Sequence, residues 1–401
     1  MTGKRCTLAM LGYSRDHRPD CEQVVIALMI TPEGYPFYWC VMEGNTQDVT
    51  TICRLIHDIK ARFPLESCTM VFDRGMVSAD NLKALEGEGW DYVSAMDRDE
   101  IAVSPFFATA LPEPPMPGDW EQILAMREFL PLEEDLLYYR EFVLESRRYI
   151  LFFDVARFLN EHQAQLKKIE RALQWLANKN VGLAKAQKAR NRESLEQDIR
   201  ATMKRFRVKN YLSVQIEPCA HTITTKKGKS RTVQSFHLSH IVDETALQEE
   251  RRMHGITCFI SNVPQSRTSV REIVGWYRRK NKVEEAFREI KSHLELRPIY
   301  LTRTKRVKAH VIVCVLAYFL YNDIEQRLKE HKISISTEKV LSLLAECRTN
   351  RWVFDKAETR SRLNITKVSP QQKEVLKALD CDSVVEEKHL KSILKKAESW
   401  L

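Results

Sequence analysis

The stretch that decides the fold is a run without glycine or proline in which charged and apolar side chains are interspersed: Tyr277-Arg278-Arg279-Lys280-Asn281-Lys282-Val283-Glu284-Glu285-Ala286-Phe287-Arg288-Glu289-Ile290-Lys291. The run predicts one helix, because each of its residues tolerates helical backbone. On a helix that turns about 100° per residue, five side chains fall within roughly 80° of one another: Tyr277, Lys280, Glu284, Arg288 and Lys291. A separate apolar stripe contains Val283, Phe287, Ile290 and Leu294.

One wall of this helix is therefore expected to pack in a core, while the wall beside it presents a carboxylate among cations. Such a wall suits a site that binds a metal ion and phosphate groups. The alternative is a solvated face whose charges form ordinary ion pairs along the helix. The pattern by itself leaves both interpretations open.

The composition describes a basic, globular chain. Its 401 residues exceed what one hydrophobic core usually organises, so two or three domains are expected. A hydrophobic fraction of 44% with only 12 glycines and 14 prolines excludes a disordered chain. The net charge of +9 favours a polyanionic partner. The ten cysteines are scattered without a CxxC pair, which is typical of reduced thiols in a cytoplasm.

Secretion and membrane insertion are not expected. Lys4 and Arg5 lead into no sustained apolar run, as a signal peptide would require. The longest apolar segment, Val311 to Tyr321, is shorter than the roughly 20 residues that span a bilayer. It is predicted to be a buried helix of a soluble protein.

The first hundred residues predict an antiparallel hairpin, a helix, and then a compact strand–helix–strand unit with parallel strands. In chain order, the predicted elements are strands 23–31 and 36–42, a helix over 49–63, a strand over 68–72, a helix over 79–85 and a strand over 90–96. Asp73 directly follows the third strand, at the carboxyl edge where α/β sheets tend to bind ligands. The alternative is that Asp73 pairs with Arg74 or caps the coming turn.

A resemblance to a known family appears in the spacing of Tyr277, Lys280, Glu284 and Lys291. It resembles the tyrosine–arginine–glutamate–lysine (YREK) signature of bacterial insertion-sequence transposases of the DDE type. Further blocks resemble the same family, in its order and over most of the chain: Gly12-Tyr13-Ser14-Arg15-Asp16-His17-Arg18-Pro19-Asp20, Glu43-Gly44-Asn45-Thr46-Gln47-Asp48, Phe72-Asp73-Arg74-Gly75-Met76, Val283-Glu284-Glu285-Ala286-Phe287-Arg288 and Leu296-Arg297-Pro298-Ile299-Tyr300.

The resemblance implies an α/β fold with an RNase H-like core, interrupted by a large mixed α+β insertion and followed by a helical C-terminal part. The corresponding ranges are 1–99 for the first part of the core, 100–256 for the insertion, 257–325 for the second part of the core and 326–401 for the helical region. It also implies a cytoplasmic, nucleoid-associated protein without a membrane contact. Its partners would be double-stranded DNA with the terminal inverted repeats of a transposon and, when two ends are brought together, a second copy of the chain.

The resemblance further implies that Asp73 and Glu284 are two of three carboxylates that bind two Mg²⁺ (or Mn²⁺) ions. Tyr277, Lys280 and Lys291 would bind phosphates near the cut, and Arg288 lies on the same predicted face. The implied activity is DNA strand cleavage and strand transfer at the ends of the element.

Two departures from the family pattern matter. Lys280 stands where the signature has arginine, which keeps a cation but loses the bidentate guanidinium. No acid occurs in Met1 to Leu11, ahead of the first block, where the family has its first catalytic aspartate. Asp16 and Asp20 belong to the block after that strand and are not assigned to this position. We therefore expect an amino-terminally truncated copy, or one whose start was assigned too far downstream, that is inactive in this form. The alternatives are a DNA-binding remnant and a metal-dependent nuclease of the same fold.

Overall fold

The computed structural model describes residues 6–13, 20–133, 136–224, 228–353, 361–386, 388–389 and 392. The chain forms two compact units. Unit 1 consists of Met1–Arg62 and Arg278–Leu401, and unit 2 of Phe63–Tyr277.

Strands and helices are mixed along the chain, with short 3₁₀ turns at Asp48–Thr50, Arg74–Met76 and Asp382–Val385. The described strands are β1 Val24–Ile30, β2 Pro36–Glu43, β3 Thr69–Phe72, β4 Asp91–Ala95, β5 Leu130–Glu133, β6 Leu137–Leu144, β7 Arg147–Asp154, β8 Leu212–Thr224, β9 Ser230–Val242, β10 Ile256–Ser261, β11 Thr349–Val353 and β12 Ser361–Ile365. The described helices are α1 Ile52–Arg62, α2 Ala79–Gly87, α3 Arg98–Ala102, α4 Pro105–Ala110, α5 Trp120–Met126, α6 Val155–Ala184, α7 Arg192–Phe206, α8 Glu244–Arg252, α9 Val270–Arg279, α10 Asn281–Ser292, α11 Thr304–Glu330, α12 Thr337–Ala345 and α13 Pro370–Ala378.

Unit 2 is built on a mixed sheet of six described strands in the order β3-β4-β10-β7-β6-β5. β3 and β4 run parallel, with Thr69 opposite Asp91 and Phe72 opposite Ser94, and α2 connects them. The remaining pairs are antiparallel. The predicted strand–helix–strand unit is thus confirmed, and its parallel strands place their carboxyl ends at one edge of the sheet.

Both faces of the central strand β7 pack against other elements, and its side chains are apolar on both sides. Ile150 and Phe152 face one way and pack with Ile273 and Val274 of α9. Leu151 and Phe153 face the other way, into a core formed with β10 and the helices α3 to α6. Successive side chains of a strand point to opposite faces, so a continuous apolar run is what a two-sided core requires.

A second core in unit 2 joins the long helix α6 to α7 and to the ribbon formed by β8 and β9. These elements lie in the range that the sequence assigned to an insertion. The hairpin of β6 and β7 lies in the same range but pairs into the main sheet beside β10. The domain boundaries expected from the sequence do not coincide with the two compact units, and they stay a prediction.

Unit 1 is organised around the predicted hairpin of β1 and β2, which is confirmed in antiparallel pairing from Val24 opposite Glu43 to Ile30 opposite Pro36. Its inner face packs against α10 and α11. The C-terminal helices α12 and α13 pack on the second half of α11 through Leu328, Val340 and Val375.

Two expectations about the second half of the chain are corrected. The run from Tyr277 to Lys291 is not one helix, because a turn at Lys280 separates α9 from α10. Asn281, next to that turn, is among the weakest helix formers of the run. The region predicted to be helical contains the hairpin of β11 and β12, and the stretch Thr349-Asn350-Arg351-Trp352-Val353 carries the β-branched and aromatic residues that favour strands.

The apolar segment around Val311 belongs to a longer helix than expected. By length and composition alone α11 is able to cross a membrane, a test that the core helix of a soluble protein also passes. One face of α11, including Val311, Val315 and Tyr318, is buried in the core of unit 1. Val313, Leu316 and Leu320 on its other sides are exposed, so packing in unit 1 accounts for only part of its apolar character.

Candidate functional site

Asp73 lies at the carboxyl end of β3 and is exposed to solvent. The preceding residue, Phe72, is buried, and its carbonyl accepts a hydrogen bond of 2.9 Å from the Ser94 hydroxyl of β4. The end of the strand is therefore fixed against its parallel neighbour. The carboxylate projects from the edge at which ligands of α/β sheets commonly bind.

The segment after Asp73 is also held in place. The Asp73 Oδ1 atom accepts a hydrogen bond of 2.9 Å from the backbone N–H of Arg74, so the capping role considered as an alternative is present. The side-chain amide of Asn81 donates to the Met76 carbonyl at 2.8 Å, and the Ser78 hydroxyl caps α2. Capping is compatible with ligand binding, because a carboxylate offers about four lone-pair positions.

Glu284 lies in the first turn of α10 and is exposed. On the opposite wall, Ala286 and Ile290 are buried against the hairpin and α11, and Phe287 packs at the edge of this core. The predicted division of the helix into an apolar and a charged wall is thus confirmed for α10. The positive end of the helix dipole favours a carboxylate at this position.

Cations accompany Glu284 along α10. Arg288 is exposed one turn further on. The Lys291 ammonium lies over the face of the Phe287 ring, 5.5 Å from its centroid, in a cation–π contact. Lys280 forms the turn that begins α10. The hydrogen bond from Lys282 to Glu285, at 2.7 Å, raises the pKa of that lysine. This pair is an ordinary ion pair of the kind the alternative interpretation expected, but it involves none of the predicted site residues.

Tyr277 lies on α9, not on α10. Its ring packs against Phe259 of β10 with the ring centroids 4.3 Å apart, and Val274 belongs to the same core. The N-terminus of α9 is fixed by Glu272, whose Oε2 atom accepts from the backbone N–H of Ser269 at 2.8 Å. Buried Arg148 donates to the Thr268 carbonyl at 2.9 Å in front of the helix.

The structure thus groups the predicted residues in two places. Lys280, Glu284, Arg288 and Lys291 lie on or directly before α10 in unit 1. Asp73 and Tyr277 belong to unit 2. Within each unit the residues sit on elements that the core holds firmly, and a meeting of Asp73 with Glu284 stays a prediction.

Sequence reasoning missed a third group, formed by Glu289 of α10, His293 at the C-terminal end of that helix, and Glu338 of α12. Its ligand atoms lie within 4.8 Å of one another. Hydrogen bonds from Ser336 and Tyr321 lower the pKa of Glu338 to about 2, so its carboxylate is ionised. The four-residue spacing of Glu289 and His293 is a signal that the sequence contained, whereas the contribution of Glu338 depends on tertiary packing.

Fold and surface together define a mixed α/β protein that presents an acid at a strand end and a second acid among cations on a helix. The family model described as transposase DDE domain matches residues 12–320. The chain belongs to this family, and the match spans both acids. No curated protein and no solved structure matches the chain.

Proposed function

We propose that the chain is an insertion-sequence transposase of the YREK class, with an RNase H-like core that handles the ends of a DNA element. The family as a whole implies DNA binding, divalent metals and a soluble, cytoplasmic protein. One observation on α10 supports the assignment to the YREK class. Glu284 is exposed there, it lies within the range of the family match, and it stands at the glutamate position of the signature spacing.

The side chains fit the metal that the family uses. Asp73 and Glu284 offer exposed carboxylate oxygens, the hard donors that Mg²⁺ and Mn²⁺ prefer. When bound between carboxylates, such ions would lower the pKa of an attacking water or 3′-hydroxyl and stabilise the leaving oxygen. In this proposal Asp73 and Glu284 are the residues that bind them.

The cations take the role of positioning DNA. Lys280, Arg288 and Lys291 follow one another along α10 and would bind successive phosphates, and Tyr277 would add a contact from α9. Contacts to phosphates fix the register of DNA without reading its bases. The terminal inverted repeats would be the DNA ligand, with a second copy of the chain when two ends are joined.

We further propose that this chain binds DNA ends but cleaves them poorly. Among the described strands, β3 pairs with β4 and has no second neighbour. The edge beside Asp73 is where an RNase H-like core would place a further strand with a further carboxylate. This observation favours the second candidate function, a DNA-binding protein without strand cleavage.

The test uses the purified chain and a DNA fragment that carries the inverted repeats flanking its coding region. We expect specific binding and little Mg²⁺-dependent cutting. Robust cutting that is abolished by Glu284→Gln or Asp73→Asn would contradict the proposal that the chain cleaves poorly. It would support a catalytic role for the two acids. The matched controls are Glu285→Gln and Asp80→Asn, which change exposed acids nearby. Failure to bind the repeats would contradict the transposase proposal itself.

A further inference from the structure

The group formed by Glu289, His293 and Glu338 lies entirely within unit 1. Glu289 lies in the last turn of α10 and His293 caps the end of that helix four residues later, while Glu338 approaches from the first turn of α12. The His293 Nε2 atom is 3.4 Å from Oε2 of Glu289 and 3.5 Å from Oε1 of Glu338. One nitrogen and two carboxylate oxygens therefore converge on a common point.

The contacts of His293 with the two carboxylates are ion pairs when the imidazole is protonated, but they leave one oxygen without a hydrogen bond. Oε2 of Glu289 is buried and has no hydrogen-bond partner, although His293 lies close to it. A buried carboxylate oxygen without a donor is costly, since it has lost water without replacement. A cation between the three side chains would satisfy it.

The two distances fit a metal ion. In a tetrahedral site with metal–ligand bonds of about 2.1 Å, neighbouring ligand atoms are about 3.4 Å apart. The separations of 3.4 Å and 3.5 Å agree with this value. The Glu338 Oε1 atom also accepts a hydrogen bond of 2.7 Å from the Tyr321 hydroxyl, an outer contact of the kind that orients metal-binding carboxylates.

The donor set selects the class of ion. Mg²⁺ prefers oxygen ligands and keeps much of its water, whereas an imidazole nitrogen with two carboxylates suits Zn²⁺. We propose that Glu289, His293 and Glu338 form a zinc-class divalent cation site with a fourth position for water. Glu289 is five residues from Glu284, which places it roughly 140° round the helix on a different wall.

The consequence of this site is a metal cross-link between α10 and α12. Occupancy would fix the orientation of α10, the helix that presents Glu284 and Lys291. The inference stands apart from the proposed DNA chemistry, because it uses none of the residues assigned to it.

The experiment measures zinc binding by the purified full chain after treatment with a chelator. Zn²⁺ is titrated against a zinc indicator dye, with excess Mg²⁺ present to occupy sites built only of carboxylates. We expect one strong site, with an affinity at least about tenfold weaker in His293→Gln and in Glu289→Gln. His331→Gln, which changes an exposed histidine at the end of α11, is the matched control and should bind zinc normally.

Cysteine thiols also bind zinc, so the number of zinc ions bound does not identify the site. The zinc affinities of the variants do. Strong zinc binding that survives in His293→Gln, Glu289→Gln and Glu338→Gln would overturn the proposal. Asp73→Asn and Glu284→Gln should retain the site, and its loss there would place the zinc at those acids and equally overturn it. Because Glu338 is half-exposed, Glu338→Gln tests the site even if a variant at the more buried Glu289 fails to fold.

Discussion

The proposed chemistry of this protein rests on single side chains, and the surroundings of each side chain bear on its proposed role. Asp73 and Glu284 are both exposed, whereas Phe72, directly before Asp73, and Ala286, two residues after Glu284, are buried. A buried neighbour fixes the backbone, so an exposed acid beside it is held in position without being shielded from ligands. Lys291 gains similar support from the ring of Phe287.

Replacing Lys291 tests the phosphate contacts at the level of one residue. Lys291→Ala should weaken binding to an end fragment and reduce the slope of log K against log salt by about one, because one phosphate contact is lost. The measurement is a DNA-binding titration at several salt concentrations. Lys282→Ala, which removes a lysine already paired with Glu285, is the control. Equal affinity and slope for Lys291→Ala and the unmodified chain would remove this lysine from the interface.

Buried His254 should make the free energy of unfolding depend on pH. Burial lowers the pKa of His254 to about 4, and burial also lowers the pKa of its neighbour His162. Both are neutral at pH 7, and the unfolded chain takes up protons first as the pH falls. The folded state should therefore lose up to about 3 kcal/mol through His254 as the pH falls from roughly 6.5 to 4.

Urea unfolding followed at pH 7 and pH 5 measures this loss. His254→Phe should reduce the difference between the two pH values, since it removes the buried imidazole. His57→Phe, at an exposed position of α1, should leave the difference unchanged. A pH dependence that is the same in His254→Phe and in the unmodified chain would contradict the assignment.

At the scale of elements, α10 is the part on which the account depends most. Its apolar wall joins the hairpin of β1 and β2 to α11, so this helix stabilises unit 1 as well as presenting Glu284. Buried and exposed positions alternate around it within a single turn. The two roles should therefore respond to different substitutions.

The stabilising role is tested by truncating a buried side chain. Ile290→Ala, at a position that is 2% exposed, should lower the free energy of unfolding by about 2–5 kcal/mol through lost burial and a cavity. Arg288→Ala, two residues away on the exposed wall, should change it by less than about 0.5 kcal/mol. Denaturant unfolding of both variants makes the comparison, and equal losses would contradict the packing of α10.

The sequence predicted the elements whose signals are local. The hairpin of β1 and β2, the parallel unit of β3, α2 and β4, and the apolar wall of α10 all follow from periodicity and turn residues. The turn at Lys280 was missed because the run contains no glycine or proline, and one weak helix former, Asn281, does not by itself predict a break. The pairing of β7 with β10 and the approach of Glu338 to α10 depend on distant contacts, which a local pattern does not encode.

At the scale of the whole molecule, the family and the net charge both agree with a protein that acts on DNA. The chain belongs to the transposase DDE domains, its net charge of +9 suits a nucleic-acid partner, and its acids lie on two separate compact units. The central proposal is that Asp73 and Glu284 bind the same divalent ions.

The most direct measurement is a Mn²⁺ titration of the purified chain, followed by electron paramagnetic resonance, for Asp73→Asn, Glu284→Gln and the double variant. If the two acids share ions, each single variant should weaken binding at least about tenfold, and the double variant should add little, because residues of one site are not independent. Glu285→Gln should bind Mn²⁺ like the unmodified chain. Full Mn²⁺ affinity in either single variant, or losses that simply add in the double variant, would contradict the claim.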